Sequence, residues 1–283
     1  MDTTTPIKEK TFESDEEKKI PKSFIMRRMH SLLGLWLVFY LFQHLLINSQ
    51  AAFFFVDEGS AFIRLVTALE ELPYLAVIEV VFLALPFLIH GIWGIFYLRT
   101  AKLNAHKTEG NKPMLPQYKR NRGYSWQRIT SWILIPLILL HVLQMRFLNR
   151  PEAVFEATEK HFKLHIENDV GLKGVIEILN GKILSVESNE ALVLVPNAGS
   201  AFLLIVRDVF KNPLMVILYS FFVIIACYHA FNGLWTFMIT WGVTLTRRSQ
   251  KRMRTITNVL MTITTIMGLI AAWGIYWTTQ FQM

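Results

Sequence analysis

With 283 residues, 53% of them hydrophobic and only 18% charged, the chain is too apolar for a soluble domain of its size. At about 20 apolar residues per crossing, it has the length for several membrane spans. The net charge of +8 matters less as a total than by where the cations fall, and the one cysteine, Cys227, says nothing about compartment.

The first 23 residues are polar and charged and lack an apolar core. They read as a disordered, solvated cytoplasmic arm and not as a cleavable signal. Residues 24–283 read as a transmembrane domain. Five apolar runs follow one another at about 28–54, 74–99, 126–149, 213–242 and 255–280. Lipid admits only helices or closed barrels, and barrel strands would be about half as long and alternating. The expected fold class is therefore an all-α membrane bundle of five transmembrane helices, with a long external connection over 150–212. Inside that connection Asn180-Gly181 reads as a hairpin signal. Residues 199–210 read as an amphipathic helix lying on the outer membrane surface. An ordered external connection without chemistry is the plainer reading of the whole segment.

Seven Lys and Arg precede and include Arg28, eight lie in 99–128 and five in the turn Thr246–Arg254, against one in 55–73 and none in the tail. The positive-inside rule then puts the amino terminus in the cytoplasm and the carboxyl terminus outside.

Each of the first four runs holds a histidine deep in its interior: His44, His90, His141 and His229. An ionisable side chain at that depth costs several kcal/mol by some scales and marks function by default. Counted along the helices, His44 and His141 each lie about 24 Å from the inner boundary, and His90 and His229 about 24 Å from the outer one. The four form two pairs, one on the outer side of the midplane and one on the inner. Two neutral imidazoles at one depth on facing helices are the axial ligands that six-coordinate haem b requires. Two such haems would carry electrons across the membrane. Gly91, Gly94 and Gly233 remove bulk near the ligands. Pro86 and Pro136 loosen the turns before His90 and His141, leaving gaps that a buried neighbour can fill. A single buried histidine is as readily a polar packing residue; four at two matched depths are hard to explain that way. Another metal would want ligands gathered at one depth, with carboxylates or thiolates beside them.

Four residues at the inner helix ends, Arg28, His30, Ser31 and Arg128, are candidate partners for haem propionates, with headgroup anchoring as the alternative. His30 precedes His44 by fourteen residues, a spacing that cytochromes with two ligands on one helix use, but no second helix repeats it. His106, His161 and His165 lie in loops and read as solvated. Glu79 is the only acidic residue inside a run, near the level of the outer pair. It is expected to border a quinone pocket, where quinone chemistry needs a proton donor or acceptor; a solvated interfacial carboxylate is the alternative.

With these residues placed, the chain resembles the membrane cytochrome b subunit of succinate dehydrogenase/fumarate reductase, of the kind with one anchor polypeptide, five helices and two haems. The resemblance covers about 24–149 and 213–280. It is carried by Arg27-Arg28-Met29-His30-Ser31-Leu32-Leu33-Gly34, Gln43-His44-Leu45, His90-Gly91-Ile92-Trp93-Gly94, Gln127-Arg128-Ile129-Thr130, His229-Ala230-Phe231-Asn232-Gly233-Leu234-Trp235 and Thr240-Trp241-Gly242-Val243-Thr244. It implies that His44 with His141 bind an outer, lower-potential haem b and His90 with His229 an inner, higher-potential one. It also implies a flavoprotein subunit and an iron–sulfur subunit docked on the cytoplasmic face, and a quinone acceptor, menaquinone by family analogy. No nucleotide fingerprint, flavin site or cysteine cluster is present, so the succinate chemistry would lie on those partners. The location implied is the cytoplasmic membrane, with lipid as surroundings and no nucleic acid among the partners. Two departures stand out. The 150–212 connection is longer than the family leads one to expect, and Cys227 occupies the region near the helix IV ligand where some members carry a glutamate. Two rivals remain. A proton-coupled transporter predicts broken helices and internal symmetry, which the sequence lacks. The helix I and IV segments argue against the diheme anchor of another quinone-linked oxidoreductase.

Overall fold

The computed structural model describes residues 20–100, 115, 117–156 and 158–282. The expected arm at 1–23 falls outside these, apart from its last four residues, of which Lys22 and Ser23 already belong to a helix.

Among the described residues, five helices are long and apolar enough to cross a membrane: span I, Lys22–Phe53; span II, Leu75–Arg99; span III, Lys119–Leu148; span IV, Pro213–Thr240; and span V, Arg247–Phe281. This is the five-helix bundle of a multi-pass membrane protein. Spans III and V begin well before their apolar runs, at Lys119 and Arg247. Backbone hydrogen bonding carries each helix on into the headgroup layer, where basic side chains are at home, and the apolar run marks only the part that meets hydrocarbon. Large apolar side chains stay on the outside of the bundle; Phe39 is 62% and Leu139 65% exposed. Lipid takes the place of a partner there.

Span II contains a π turn at Val80–Ala84. Pro86 has no N–H to give, so the carbonyl four residues earlier, that of Phe82, loses its helical donor. The indole Nε1 of Trp36 in span I supplies one instead, at 2.5 Å. Span III ends in a second π segment, Leu143–Leu148, which begins two residues after His141.

The two ends of the bundle differ. One collects the basic starts of spans I, III and V. The other is capped by a folded unit made from 54–70 and 150–212. The stretch 55–73, expected as a loop, contains the helix Ser60–Glu70. The connection 150–212 contains a four-stranded antiparallel sheet of order β1-β2-β4-β3, with β1 at Glu152–Glu156, β2 at Glu159–Glu167, β3 at Lys182–Glu187 and β4 at Glu190–Val195. Asn180-Gly181 does not make its hairpin. Asn180, at φ 53°, ends the helix Leu172–Ile178, and the Gly181 amide bonds back to Ile176 at 2.9 Å. An Asn–Gly pair supplies left-handed backbone, and a helix terminus uses that as readily as a hairpin does. The β3–β4 turn is Ser188-Asn189 instead, with Ser188 at φ 52°.

The segment expected on the membrane surface is also elsewhere. Helix Ala198–Phe210 is buried along nearly its whole length, between the sheet, helix Ser60–Glu70 and the ends of spans IV and V. Gly199 is required there, because a Cβ would run into the carbonyl of Ile63. The stripe Arg207-Asp208-Lys211 meets protein and not headgroups. Arg207 holds Asp169 through two bonds of 2.7 Å each, and Lys211 reaches Glu167 at 2.9 Å and Asp208 at 2.8 Å. Charge at helical spacing looks the same in sequence whether it faces solvent or a buried partner. Leu164, Leu172, Val193 and Leu204 form one continuous core with Val216 of span IV and Ile275 of span V. The cap and the bundle are therefore one packed body.

Candidate functional site

The four interior histidines come together two by two. The rings of His44 and His141 have centroids 6.0 Å apart with planes at 77°. Those of His90 and His229 lie 6.5 Å apart at 88°. His141 packs beside Tyr219 and Phe222 of span IV. His229 is seven to ten residues further along that helix, so the two pairs are separated by about 10–15 Å along the bundle. The pairing and the two levels are those expected from helix counting.

The separation can be tested against a metal held between two rings. An imidazole nitrogen binds a first-row metal at about 2 Å and its ring centre lies about 1 Å further back, so two rings in trans have centres about 6 Å apart. Both pairs match. Among the described residues no three His, Cys, Asp or Glu side chains gather at one point; a pair of imidazoles is a donor set that would suit iron in a macrocycle.

The outward ring nitrogens are engaged in a consistent way. His90 Nδ1 lies 3.0 Å from the main-chain oxygen of His30, an acceptor only. His229 Nδ1 lies 3.2 Å from Thr130 Oγ1, whose own proton goes to the Trp126 carbonyl at 2.8 Å. His141 Nδ1 lies 3.2 Å from Tyr219 Oη, which donates to Gln144 Oε1 at 2.9 Å. The His30 carbonyl can only accept, so Nδ1 of His90 carries the hydrogen and Nε2 keeps its lone pair, the state a metal-binding histidine needs; the hydroxyls beside His141 and His229 are placed to accept in the same way. The ring of His44 makes no hydrogen bond among the described residues and lies against Tyr40, 5.6 Å between centroids. Gln127 and Asn232 tie spans III and IV beside the second pair: Gln127 Nε2 donates to the His229 carbonyl at 3.0 Å, and Asn232 Nδ2 to Gln127 Oε1 at 2.6 Å. Of the glycines expected to make room, Gly91 faces open space, whereas Gly94 lies near the His30 ring and Gly233 near Gln127.

The candidates for carboxylate binding all sit at the basic end. Arg28 Nη2 donates to the Thr240 carbonyl at 3.1 Å, and its guanidinium lies over the Phe24 ring at 3.7 Å. Ser31 Oγ donates to the Arg28 carbonyl at 3.0 Å and accepts from Trp241 Nε1 at 2.8 Å. Arg128 stacks on Tyr124 at 3.3 Å, and its Nε is buried without a partner. His30 points inward, its ring flat against that of His90.

Glu79 is ion-paired with Arg146 at 2.5 Å, each side chain about a third exposed. It is neither lone nor simply solvated, and Arg146, from the π segment of span III, escaped the sequence reading. Tyr219 escaped it too, and Thr130 and Gly34, though within the segments that carry the resemblance, were given no contact with a histidine. Arg146 carried a signal, as a cation five residues past His141; the hydroxyls carried none, because their partners lie 78 and 99 residues away. His161 and His165, expected in loops, both lie in strand β2, where His165 is exposed and His161 is half-buried beside Glu159; His106 lies outside the described residues, and Cys227 is fully buried.

The chain is similar to the "Succinate dehydrogenase cytochrome b558 subunit" of Bacillus subtilis (strain 168), 26% identical over 251 residues that cover 88% of this chain and 96% of that one. No protein-family model and no solved structure matches it.

Proposed function

We propose, from the premise that this chain is a distant relative of the succinate dehydrogenase cytochrome b subunits, that it is the diheme membrane anchor of a succinate:quinone oxidoreductase. The observation that carries this reading is the spacing of the two imidazole pairs, 6.0 and 6.5 Å, with an Nδ1 acceptor behind three of the four rings. His44 with His141 hold one haem b and His90 with His229 the other. Bound there, haem iron supplies one-electron chemistry. The chain's own part is to orient the four rings, keep water from them with the apolar bundle and fix their tautomers through Tyr219, Thr130 and the His30 carbonyl. Arg28, His30, Ser31 and Arg128 are the candidates for the carboxylates of the inner haem, where the buried, unpartnered Arg128 Nε leaves a donor free.

The basic end faces the cytoplasm and the capped end the outside, so the protein lies in the cytoplasmic membrane with its carboxyl terminus external. Residues 24–283 form one cytochrome b domain, with 150–212 as its external insertion and 1–23 as a cytoplasmic arm. A flavoprotein and an iron–sulfur subunit dock on the basic end and carry the succinate chemistry. Electrons enter at the inner pair, pass to the outer pair and leave to a quinone, menaquinone in this reading. Glu79, held by Arg146 near the outer pair, borders the quinone site; an unchanged quinone turnover in Glu79→Gln would discard that assignment. Purification of the chain from membranes, followed by haem extraction and subunit analysis, tests the whole. The reading requires two haems b per chain and a co-purifying flavinylated subunit, and one haem or none overturns it.

A further inference from the structure

We infer that His30 is the positioning residue of the His90 ring, so that span I fixes the plane in which this ligand on span II meets the iron. The inference rests on the diheme reading above. A histidine's Cβ–Cγ torsion is broad and roughly two-fold, so rotamer preference does not set the ring plane and contacts must. Besides its pairing with His229, the His90 ring meets span I in three ways. The His30 ring stacks on it with centroids 4.0 Å apart and planes within 9°. The His30 carbonyl accepts its Nδ1 hydrogen at 3.0 Å. Gly34, one turn further along, lets the ring edge lie against the helix; a Cβ there would stand 2.9 Å from His90 Cε1 and 3.4 Å from Nδ1.

His30 is held in turn. Tyr97 meets its ring edge-on at 5.3 Å, and a Cβ on Gly94 would come within 3.7 Å of its Cε1. None of the other ligand rings is gripped in this way. Apart from its pairing with His141, His44 lies against Tyr40 with ring planes 23° apart, and the side chains that engage Nδ1 of His141 and His229 are hydroxyls. The consequence belongs to one haem. The plane of an axial imidazole sets how its π orbitals meet the iron, and hence the anisotropy of the oxidised low-spin signal. The strength of the Nδ1–H bond sets ligand basicity, and hence the potential.

The test is low-temperature paramagnetic resonance and an optical redox titration on membranes that contain the full chain. His30→Leu removes the flat ring and leaves the main-chain carbonyl. It should shift the largest g value of one haem and, by loosening the Nδ1–H bond, raise that haem's midpoint potential, while the other haem, an internal control, stays unchanged. His30→Phe, flat again, should return the g value toward that of the parent. Gly34→Ala crowds the same ring edge and should move the same haem's signal, which keeps the test decisive if His30→Leu does not accumulate. Unchanged signals in His30→Leu and Gly34→Ala, an equal shift of both haems, or a Phe variant no closer to the parent than Leu would overturn the positioning role. A parent chain without two haem b signals would instead remove the diheme reading on which the role rests.

Discussion

Behind the rings of His90, His141 and His229 lie oxygen atoms of neighbouring residues: the His30 carbonyl, the Tyr219 hydroxyl, and the Thr130 and Ser131 hydroxyls. Tyr219 is buried, and its hydroxyl both accepts from His141 and donates to Gln144. Tyr219→Phe leaves a buried Nδ1–H without an acceptor, a loss of about 1–3 kcal/mol, and outer-shell changes of this kind cost about 10–100-fold in metal affinity. Redox titration of that variant should show weakened or shifted absorption from the haem proposed for the His44–His141 pair alone. A second residue-scale prediction lies in the cap. Burial opposes charge on Asp169, but the bonds and charges of Arg207 and Lys211 outweigh it and hold the carboxyl below its usual range. Its contribution to stability is then present above the unfolded value of about 3.9 and lost as the pH falls through the lower folded one. Thermal melts should find Asp169→Asn less stable than the parent at neutral pH, with the gap closing below about pH 4. The two histidine pairs were legible from sequence because depth requires only the rise of a helix. The residues behind them were not, since Tyr219 and Thr130 find their partners only once spans III and IV are packed.

Among the elements, the spans were readable because length and apolarity suffice to mark a helix in lipid. Even a detail such as the turn before His90 followed from Pro86, whose missing hydrogen left a carbonyl for Trp36 to fill. The cap was harder. Helix Ala198–Phe210 has one charged stripe and a broad apolar face, a pattern shared by surface helices and by buried helices with paired charges. What decides between them is Asp169, a loop residue 38 positions before Arg207. Helix Ser60–Glu70 was hidden between two stronger signals. The contact between these two helices is backbone against backbone at Gly199, where no flexible side-chain tip can yield. Gly199→Val should therefore cost at least the 1–3 kcal/mol typical of an overpacked core, seen as a lowered melting temperature of the purified protein. An unchanged melting temperature would mean that the two helices do not approach as closely as described.

At the scale of the whole molecule, the bundle is asymmetric, with a basic open end and a folded cap joined to it through one core. Positive-inside topology predicts that a cysteine replacing the exposed Lys173 of the cap is labelled by an impermeant reagent in intact cells. Protection there, with labelling only after lysis, would reverse the orientation and with it the face on which partners dock. The two imidazole pairs at two levels hold everything else in place. They are examined most directly by reduced-minus-oxidised titration of assembled His44→Ala and His229→Ala membranes. Each variant should lose one haem b component, a different one in each, and keep the other. Retention of both components in both variants would contradict the assignment.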